Sequence, residues 1–235
     1  EDNKPDCIKI LKDLTKDEKR ILVKELKTKY PQGSERHLIY AATKRAINSS
    51  QLPSDAGCVV NNVDTIVAIY HAVIEGKPLM QRIVTITGDA INNPQNYRVR
   101  IGTNYHELIE AAGGFKVEPE KIVSGGPMMG FAQEDLSACT VKGTNSILCL
   151  TQAQNGESKE EVTCIRCGEC LKVCPMNLQP LYLYAYEKKE DVAALNRLNV
   201  LDCIECGCCS YACPGKLPLV ERFRNGKRLV REGNK

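Results

Sequence analysis

One cysteine pattern, present twice, constrains this chain more than any other feature. The pattern is Cys-x2-Cys-x2-Cys-x3-Cys-Pro, and its copies use eight of the chain's 13 cysteines. The first frame consists of Cys164, Cys167, Cys170 and Cys174, followed by Pro175. The second frame consists of Cys203, Cys206, Cys209 and Cys213, followed by Pro214. Two identical frames this close together predict a paired site built from thiolates.

The spacing of the cysteines is the one that holds two [4Fe–4S] clusters in bacterial ferredoxins. Three thiolates at three-residue intervals can bind one cluster from a single turn of backbone, whereas the fourth lies too far along and reaches the other cluster. We therefore expect crossed ligation. One cluster is assigned to Cys164, Cys167, Cys170 and Cys213, and the other to Cys203, Cys206, Cys209 and Cys174. The chemistry that this arrangement predicts is one-electron transfer.

Two other interpretations of the cysteines are structural zinc sites and disulfides. Zinc sites commonly use paired Cys-x2-Cys units, without a third cysteine at the same interval and a Cys-Pro. Disulfides require an oxidising compartment and are commonest in small secreted chains. The doubled frame favours iron–sulfur clusters over both, and thiolate-bound clusters indicate a reducing cytosol.

The composition excludes several classes of protein. The chain is 43% hydrophobic and 26% charged, with a formal net charge of +3, which is typical of globular domains. No apolar run approaches the ~18 residues needed to span a bilayer. No stretch has the architecture of a signal peptide. Nucleic-acid motifs are absent from the sequence, so we expect no nucleic-acid partner.

Residues 1–78 predict an α/β domain. Helical periodicity covers residues 5–14 and 16–29, and Ser34 is a candidate cap for a helix that runs to Arg45. Residues 58–60 read as a short buried strand. A further helix is expected at 63–74, ending before Gly76 and Pro78.

Residues 79–153 change from helical to strand periodicity. Strands are expected at 82–87, 97–101, 121–123 and 146–150, with one helix at 104–112 that Thr103 would cap. Two strands, a helix and two strands suggest a small β-grasp domain.

Residues 154–235 contain the cysteine frames after a polar linker at 154–158. The stretch 181–198 between the frames has good helix formers, which favours an α-helical ferredoxin-like domain over the compact β-hairpin kind. Basic residues dominate the C-terminal segment, where they predict either a solvated helical face or a docking surface for a redox partner or anionic lipid. The basic side chains of this segment are Lys216, Arg222, Arg224, Lys227, Arg228, Arg231 and Lys235.

Several segments, taken together, resemble one family. These segments are EDNKP at 1–5, KYPQG at 29–33, VVNNV at 59–63, GGPMMG at 125–130, KGT at 142–144, CPMNL at 174–178 and DCIECG at 202–207. The chain resembles the C subunit of the Rnf complex, a membrane-associated ferredoxin:NAD oxidoreductase. The resemblance covers essentially the whole chain. It implies a flavin- and NADH-binding α/β domain, a soluble-ligand-binding β-grasp domain and a two-cluster module.

The resemblance also implies a set of flavin contacts. They are Tyr30, Gly33, Glu35, Asn61, Asn62 and Thr65, which fall where the related flavoprotein subunit of NADH dehydrogenase lines its flavin and nicotinamide. The family's Gly-rich phosphate-binding segment is expected upstream of Glu1, so that the chain is expected to be an N-terminally truncated piece. On its own it should bind FMN or NADH weakly or not at all, because a Gly-rich loop supplies the amide donors for phosphate.

The function expected from the resemblance is that of an NADH-linked oxidoreductase subunit. It would relay electrons between flavin or NADH and the other Rnf subunits, associating peripherally with the cytoplasmic face of the membrane through those partners. This chain alone would only transfer electrons. The alternative is a paralogous relay to a soluble reductase of the proline reductase or cobalamin reductase type, and a non-enzymatic zinc module is a third possibility from a different class.

Overall fold

The computed structural model describes residues 1–155 and 163–233. The chain divides into two compact units, Glu1–Val60 and Asn61–Lys235. Part of the polar linker expected at 154–158 lies outside the described residues, as does Lys235 at the end of the basic segment.

The first unit is built mainly from short helices and loops. Its helices are α1 (Pro5–Thr15), α2 (Glu35–Thr43) and a 3-10 turn at Pro53–Ala56. Pro5 starts α1 at a position where its missing amide costs nothing. Lys44 ends α2 in the left-handed conformation, one residue before the expected end.

The helix expected at 16–29 is wrong, because these residues form an irregular segment. Leu22 on this segment is 86% exposed, so the periodic apolar face has no core to pack against. Most helical stability in proteins comes from such packing. The segment is instead tied to the N-terminus: Asp2 N donates to Leu26 O at 2.9 Å, and Thr28 N donates to Asp2 Oδ1 at 2.8 Å.

The strand expected at 58–60 is also wrong. Val59 is 83% exposed, and none of the described strands pairs with this segment. A run of apolar residues cannot form a strand without a neighbouring strand to receive its backbone hydrogen bonds.

The second unit begins with α3 (Val63–Ile74), whose bounds match the expected helix. A five-stranded mixed sheet follows. Its strands are β1 (Gln81–Thr87), β2 (Gln95–Arg100), β3 (Lys121–Ser124), β4 (Phe131–Gln133) and β5 (Ser146–Leu150). Helix α4 (Tyr105–Ala111) lies between β2 and β3 in the chain, and Asn104 rather than Thr103 caps it, accepting from Glu107 N at 2.8 Å.

The sheet order is β2-β1-β5-β3-β4. Strands β1 and β5 are parallel, with Thr85 opposite Ser146, and the other pairs are antiparallel. The sequence predicted four of these strands. It missed β4, a three-residue edge strand whose Phe131 is exposed on this sheet. The core between the sheet and α4 includes Val84, Ile86, Ile147 and Leu108.

Residues 163–233 form a helical module, and no strand occurs among them. Its helices follow a short α5 (Gln152–Asn155) and are α6 (Glu169–Lys172), α7 (Pro180–Glu187), α8 (Val192–Arg197), α9 (Cys208–Ala212) and α10 (Leu219–Gly233), with a 3-10 turn at Val200–Asp202. The single helix expected at 181–198 is two helices. Glu190 breaks it with a φ of 53°, and Asp191 restarts it by accepting from Ala194 N at 2.9 Å.

Candidate metal centres

The two cysteine frames follow the same backbone course. Each residue of the first frame has a counterpart in the second, and the positions with positive φ correspond pair by pair. These pairs are Arg166 and Glu205 (56° and 57°), Gly168 and Gly207 (78° and 82°), and Asn177 and Lys216 (52° and 50°). Such left-handed residues are uncommon outside glycine. Their repetition shows that the frame imposes a local geometry on whichever side chains occupy it.

Each frame lies beside a cavity that also receives the last cysteine of the other frame. The first cavity, with about 460 Å³ of open volume, is lined by Cys164, Cys167, Cys170 and Cys213. The second cavity, with about 360 Å³, is lined by Cys203, Cys206, Cys209 and Cys174. The structure thus brings together the same two sets of four thiols that crossed ligation requires.

Apolar side chains complete the walls of both cavities. Leu181 and Leu219 line the first cavity, and Leu183 and Phe223 line the second. Backbone amides donate to frame sulfurs, among them Leu178 N to Cys174 Sγ and Glu205 N to Cys203 Sγ, each at 3.4 Å. Hydrogen bonds of this kind tune the reduction potential of an iron–sulfur cluster.

The donor set fits a cluster better than a single ion. Among the described residues, which include all eight frame cysteines, no group of three or more His, Cys, Asp or Glu is arranged to hold one metal ion. A zinc ion needs four ligands at about 2.0–2.3 Å. Four thiols around a wider apolar cavity instead suit a group that binds each sulfur through a different iron. Cys208, although adjacent to Cys209, lines neither cavity.

The second frame is more deeply buried than the first. Ile165 is 73% exposed and Cys167 is exposed, whereas Cys206 and Cys209 are buried. Burial raises the pKa of Cys209 to about 12 and the pKa of Cys206 to about 11. Without metal these thiols hold their protons, so metal binding must release protons to form the thiolates.

A loop from the sheet covers the second frame. This cover loop comprises residues 125–130, between β3 and β4. A Cβ placed on Gly207 would lie 2.5 Å from the Met128 carbonyl oxygen, so only glycine permits this approach. At the counterpart Gly168, the nearest atom to such a Cβ is Leu171 Cδ1 at 3.9 Å. Within the part of the chain that the structure describes, the first frame therefore has no comparable cover at this position.

Arg224 on α10 joins the cover loop to the second frame. Its Nε donates to Glu205 Oε2 at 2.9 Å, its Nη2 donates to the Met129 carbonyl at 3.0 Å, and its guanidinium lies 4.0 Å from the centre of the Phe131 ring. Lys227 Nζ donates to Glu205 Oε1 at 2.6 Å. Burial alone would raise the pKa of Glu205, but the hydrogen bonds from Lys227 and Arg224 outweigh it and lower the pKa.

The basic segment is less free than the sequence suggested. Four of the five basic residues of α10 that were candidates for a docking surface have carboxylate partners within this unit. These pairs are Arg222 with Glu187, Arg224 and Lys227 with Glu205, and Arg228 with Glu232. Neither a wholly solvated face nor an uncompensated positive surface describes them, because local carboxylates cancel much of their field. Helical periodicity identifies only the pair of Arg228 and Glu232, four residues apart on α10. It could not identify the other three, which join α10 to α7 and to the second frame.

The candidate flavin residues fall in both units. Tyr30, Gly33 and Glu35 lie in the first unit, and all three are exposed. Asn61, Asn62 and Thr65 lie in the second unit, at and just inside the start of α3. The Asn62 side chain accepts from Asp64 N at 2.9 Å and so caps this helix.

Three family models match successive parts of the chain. The Nuo51 FMN-binding domain matches residues 1–71, the SLBB domain matches residues 83–132, and the 4Fe-4S dicluster domain matches residues 157–214. These matches place the chain in the class of proteins that combine FMN-binding, SLBB and 4Fe-4S dicluster domains.

Curated relatives identify the family within that class. The chain is 49% identical, over 95% of its length, to the C subunit of the proton-translocating ferredoxin:NAD(+) oxidoreductase complex of Clostridium ljungdahlii. It is 45% identical, over 100% of its length, to the C subunit of the Na(+)-translocating ferredoxin:NAD(+) oxidoreductase complex of Acetobacterium woodii. It is 40% identical, over 99% of its length, to the C subunit of the ion-translocating oxidoreductase complex of Pseudomonas aeruginosa. The chain belongs to the family of C subunits of these complexes, which confirms the resemblance.

The chain does not span the full length of these relatives. It covers 49% of the Clostridium protein, 54% of the Acetobacterium protein and 30% of the Pseudomonas protein. Within residues 1–155 and 163–233, no helix combines the length and apolar character that crossing a membrane requires.

Proposed function

We propose that this chain is the electron-relay part of the C subunit in a ferredoxin:NAD oxidoreductase complex. It holds two [4Fe–4S] clusters and passes electrons, one at a time, between a flavin or NADH site and partner subunits. The observation that carries the proposal is the pair of cavities, each lined by three cysteines of one frame and the fourth of the other.

The bound clusters would supply one-electron redox chemistry, and the chain's own residues would hold and tune them. One cluster is held by Cys164, Cys167, Cys170 and Cys213, and the other by Cys203, Cys206, Cys209 and Cys174. The amides of Leu178 and Glu205 hydrogen-bond to ligand sulfurs. Apolar side chains line both cavities.

The finer assignments follow from the family. We propose that residues 1–78 are the C-terminal part of a flavin- and NADH-binding domain, that residues 79–153 are a β-grasp domain and that residues 154–235 are an α-helical ferredoxin-like domain. The parallel β1–β5 pair within an otherwise antiparallel sheet supports the β-grasp assignment. The strand-free residues 163–233 support the helical ferredoxin type.

In the full-length protein we propose FMN and NADH as further ligands, with Tyr30, Gly33, Glu35, Asn61, Asn62 and Thr65 as flavin contacts. Other subunits of the complex are the proposed partners, and the location is the cytoplasmic face of the cell membrane, held there through those partners. The names of the relatives favour this complex over a relay to a soluble reductase.

Metal analysis of the chain, purified without oxygen and reconstituted with iron and sulfide, tests the proposal. Two four-iron clusters require about eight irons and about eight sulfides per chain, a brown colour and an electron paramagnetic resonance signal after reduction. A colourless protein that binds zinc stoichiometrically instead would contradict it. The matched control is the chain with all eight frame cysteines changed to serine, which should bind neither iron nor sulfide.

A further inference from the structure

The two frames share a backbone but differ in what lies on top of them. Residues 125–130 come from the sheet, far from the frames in sequence, and pack on the second frame at the Gly207 position, with no counterpart at Gly168 among the described residues. The corresponding face of the first frame carries the exposed residues Ile165, Arg166 and Cys167. The difference arises from a contact between the sheet and the helical module, both of which lie in the second unit.

Arg224 is the residue through which this contact is held. It binds the frame through Glu205, binds the cover loop through the Met129 carbonyl, and stacks on Phe131 at the start of β4. Arginine suits this role because its planar fork can donate in two directions while its face lies on an aromatic ring. The side chain is only 27% exposed, and Lys227, which shares Glu205, is 10% exposed. The ion pairs are therefore only partly screened by solvent.

We propose that the cover loop and Arg224 form an outer layer over the second cluster's binding site, packing on Gly207 and Glu205 of its wall without lining the cavity themselves. The loop excludes solvent from the cluster held by Cys203, Cys206, Cys209 and Cys174. Arg224 is a positioning residue that fixes the loop on the frame and places a positive charge near the cluster. The two clusters are consequently unequal: one is shielded, and the other, held by Cys164, Cys167, Cys170 and Cys213, is accessible from solvent.

This inequality has a functional consequence. Electrons must enter or leave the chain where a cluster comes close to a partner's surface, and the exposed Ile165, Arg166 and Cys167 of the first frame offer such a place. Solvent exposure, net charge and hydrogen bonds to sulfur are the levers by which a protein sets a cluster's potential. A shielded cluster with its own cation should therefore differ from the accessible one in potential and in chemical stability.

The inference rests on the proposed cluster binding and can be tested without measuring enzyme activity. The reconstituted chain is exposed to an iron chelator for increasing times, released thiols are alkylated, and peptide mapping records which cysteines have reacted. In the wild type, we expect the set of Cys164, Cys167, Cys170 and Cys213 to be released several-fold faster than the other set. Arg224→Met should remove most of this difference by accelerating release of the second set alone.

The matched control is Arg228→Met, on the same helix. The Arg228 guanidinium donates to the exposed Glu232 and to Asn225, both of which also lie on α10 rather than on the cover loop. This variant should keep the wild-type difference. Arg224→Lys retains the positive charge but lacks the planar guanidinium that donates in two directions. The difference in release rate between the two cysteine sets should therefore narrow in this variant too. A redox titration supplies a second readout: Arg224→Met should shift the potential of the second cluster and leave the first unchanged, whereas Arg228→Met should shift neither.

Equal release of both sets in the wild type would overturn the inference, and so would a wild-type difference that survives in both Arg224 variants. A shift of both potentials in Arg224→Met would also overturn it, because that result indicates a general loss of structure. These failures differ from failure of the proposed function, which would show as an iron and sulfide content far below about eight per chain in the wild type.

Discussion

The first and second cysteine frames have nearly the same local sequence but different surroundings in the fold. Both begin Cys-Ile-x-Cys-Gly-x-Cys, and both place their third and fifth residues at matching positive φ angles. Yet Arg166 in the first frame is exposed to solvent, while its counterpart Glu205 is paired with Arg224 and Lys227. The backbone geometry comes from the frame, and the electrostatic environment comes from distant segments.

This comparison separates two kinds of information in the chain. A spacing pattern can specify where ligands lie because the ligands are close in sequence. It cannot specify solvent access or charge pairing, because those depend on the sheet and on α10, which reach the second frame by tertiary contacts. Two frames with equivalent cysteines can therefore give their proposed clusters different surroundings.

The largest effect should follow removal of the clusters, which tests whether the two frames fold together. Leu183, Leu195 and Phe223 belong to one apolar core against which Cys164, Cys170, Cys203 and Cys213 pack. Since metal binding contributes folding free energy in ligand-rich modules, chelation should make residues 163–233 sensitive to protease. The five-stranded sheet has its own core around Ile86 and Ile147 and should stay resistant.

Limited proteolysis with mass mapping, before and after chelation, measures this difference. The untreated reconstituted chain is the control. Equal resistance of residues 163–233 in both samples would show that the frames fold without their metal.

The next effect concerns the fourth cysteines. Cys174 lines the second cavity and Cys213 lines the first, so Cys174→Ser should weaken the cluster beside Cys203, Cys206 and Cys209. Iron content should fall by up to about half, the share of one of two four-iron clusters. Chelator release followed by alkylation mapping identifies the set that is lost. Cys213→Ser is the matched variant and should weaken the cluster beside Cys164, Cys167 and Cys170. If each variant instead lost the cluster beside the frame that contains its serine, crossed ligation would be refuted.

The sequence predicted α3 and four of the five strands better than it predicted the first unit, and the reason is physical. Helices such as α3 carry local signals, including the Asn62 cap and the Gly76 stop, and the bounds of α3 were predicted correctly. The segment 16–29 has a helical pattern of apolar residues but no core for them to pack against. Helix propensity and periodicity therefore predicted a helix that does not form. The break at Glu190 was not visible either, since it depends on one left-handed residue followed by a new cap at Asp191.

The site divides in the same way. The grouping of cysteines around two cavities follows from spacing that is readable in sequence. Arg224 was seen only as one of several basic residues, because nothing local links it to Glu205 or to Met129. The one available signal was the coincidence of a GGPMMG loop with a Gly at position 207, and only the fold shows that these two segments meet.

A smaller effect is expected from paired glycine substitutions, which sharpen the comparison at equivalent positions. Gly168 and Gly207 both have positive φ, so alanine costs about 1 kcal/mol of backbone strain at either site. At Gly207 the new methyl would also collide with the Met128 carbonyl, which adds about 1–3 kcal/mol if the loop must shift. Gly207→Ala should therefore destabilise the reconstituted chain more than Gly168→Ala in chemical denaturation. Equal losses of stability in the two variants would show that the cover loop can move away from residue 207 without a free-energy penalty.

The smallest effect should be electrostatic and should distinguish the frames by its sign and its salt dependence. Glu205→Gln removes a negative charge beside the second cluster. Loss of this charge favours the more negative, reduced form of the cluster and should raise its reduction potential. Arg166→Gln removes a positive charge at the corresponding place in the first frame and should lower the first cluster's potential. Because Glu205 is only 25% exposed whereas Arg166 is exposed, solvent screens the change at Arg166 more strongly.

Redox titrations of the two variants at low and high salt measure both shifts. The Arg166→Gln shift should be smaller and should fade when the Debye length falls from about 30 Å at 0.01 M salt to about 3 Å at 1 M. The Glu205→Gln shift should largely persist, because Glu205 lies with Arg224 and Lys227 in a partly buried network, where salt screens charges less. Potential shifts of equal size that disappear together at high salt would mean that both frames are equally exposed to solvent. The two frames would then differ in the identity of Arg166 and Glu205 but not in their surroundings.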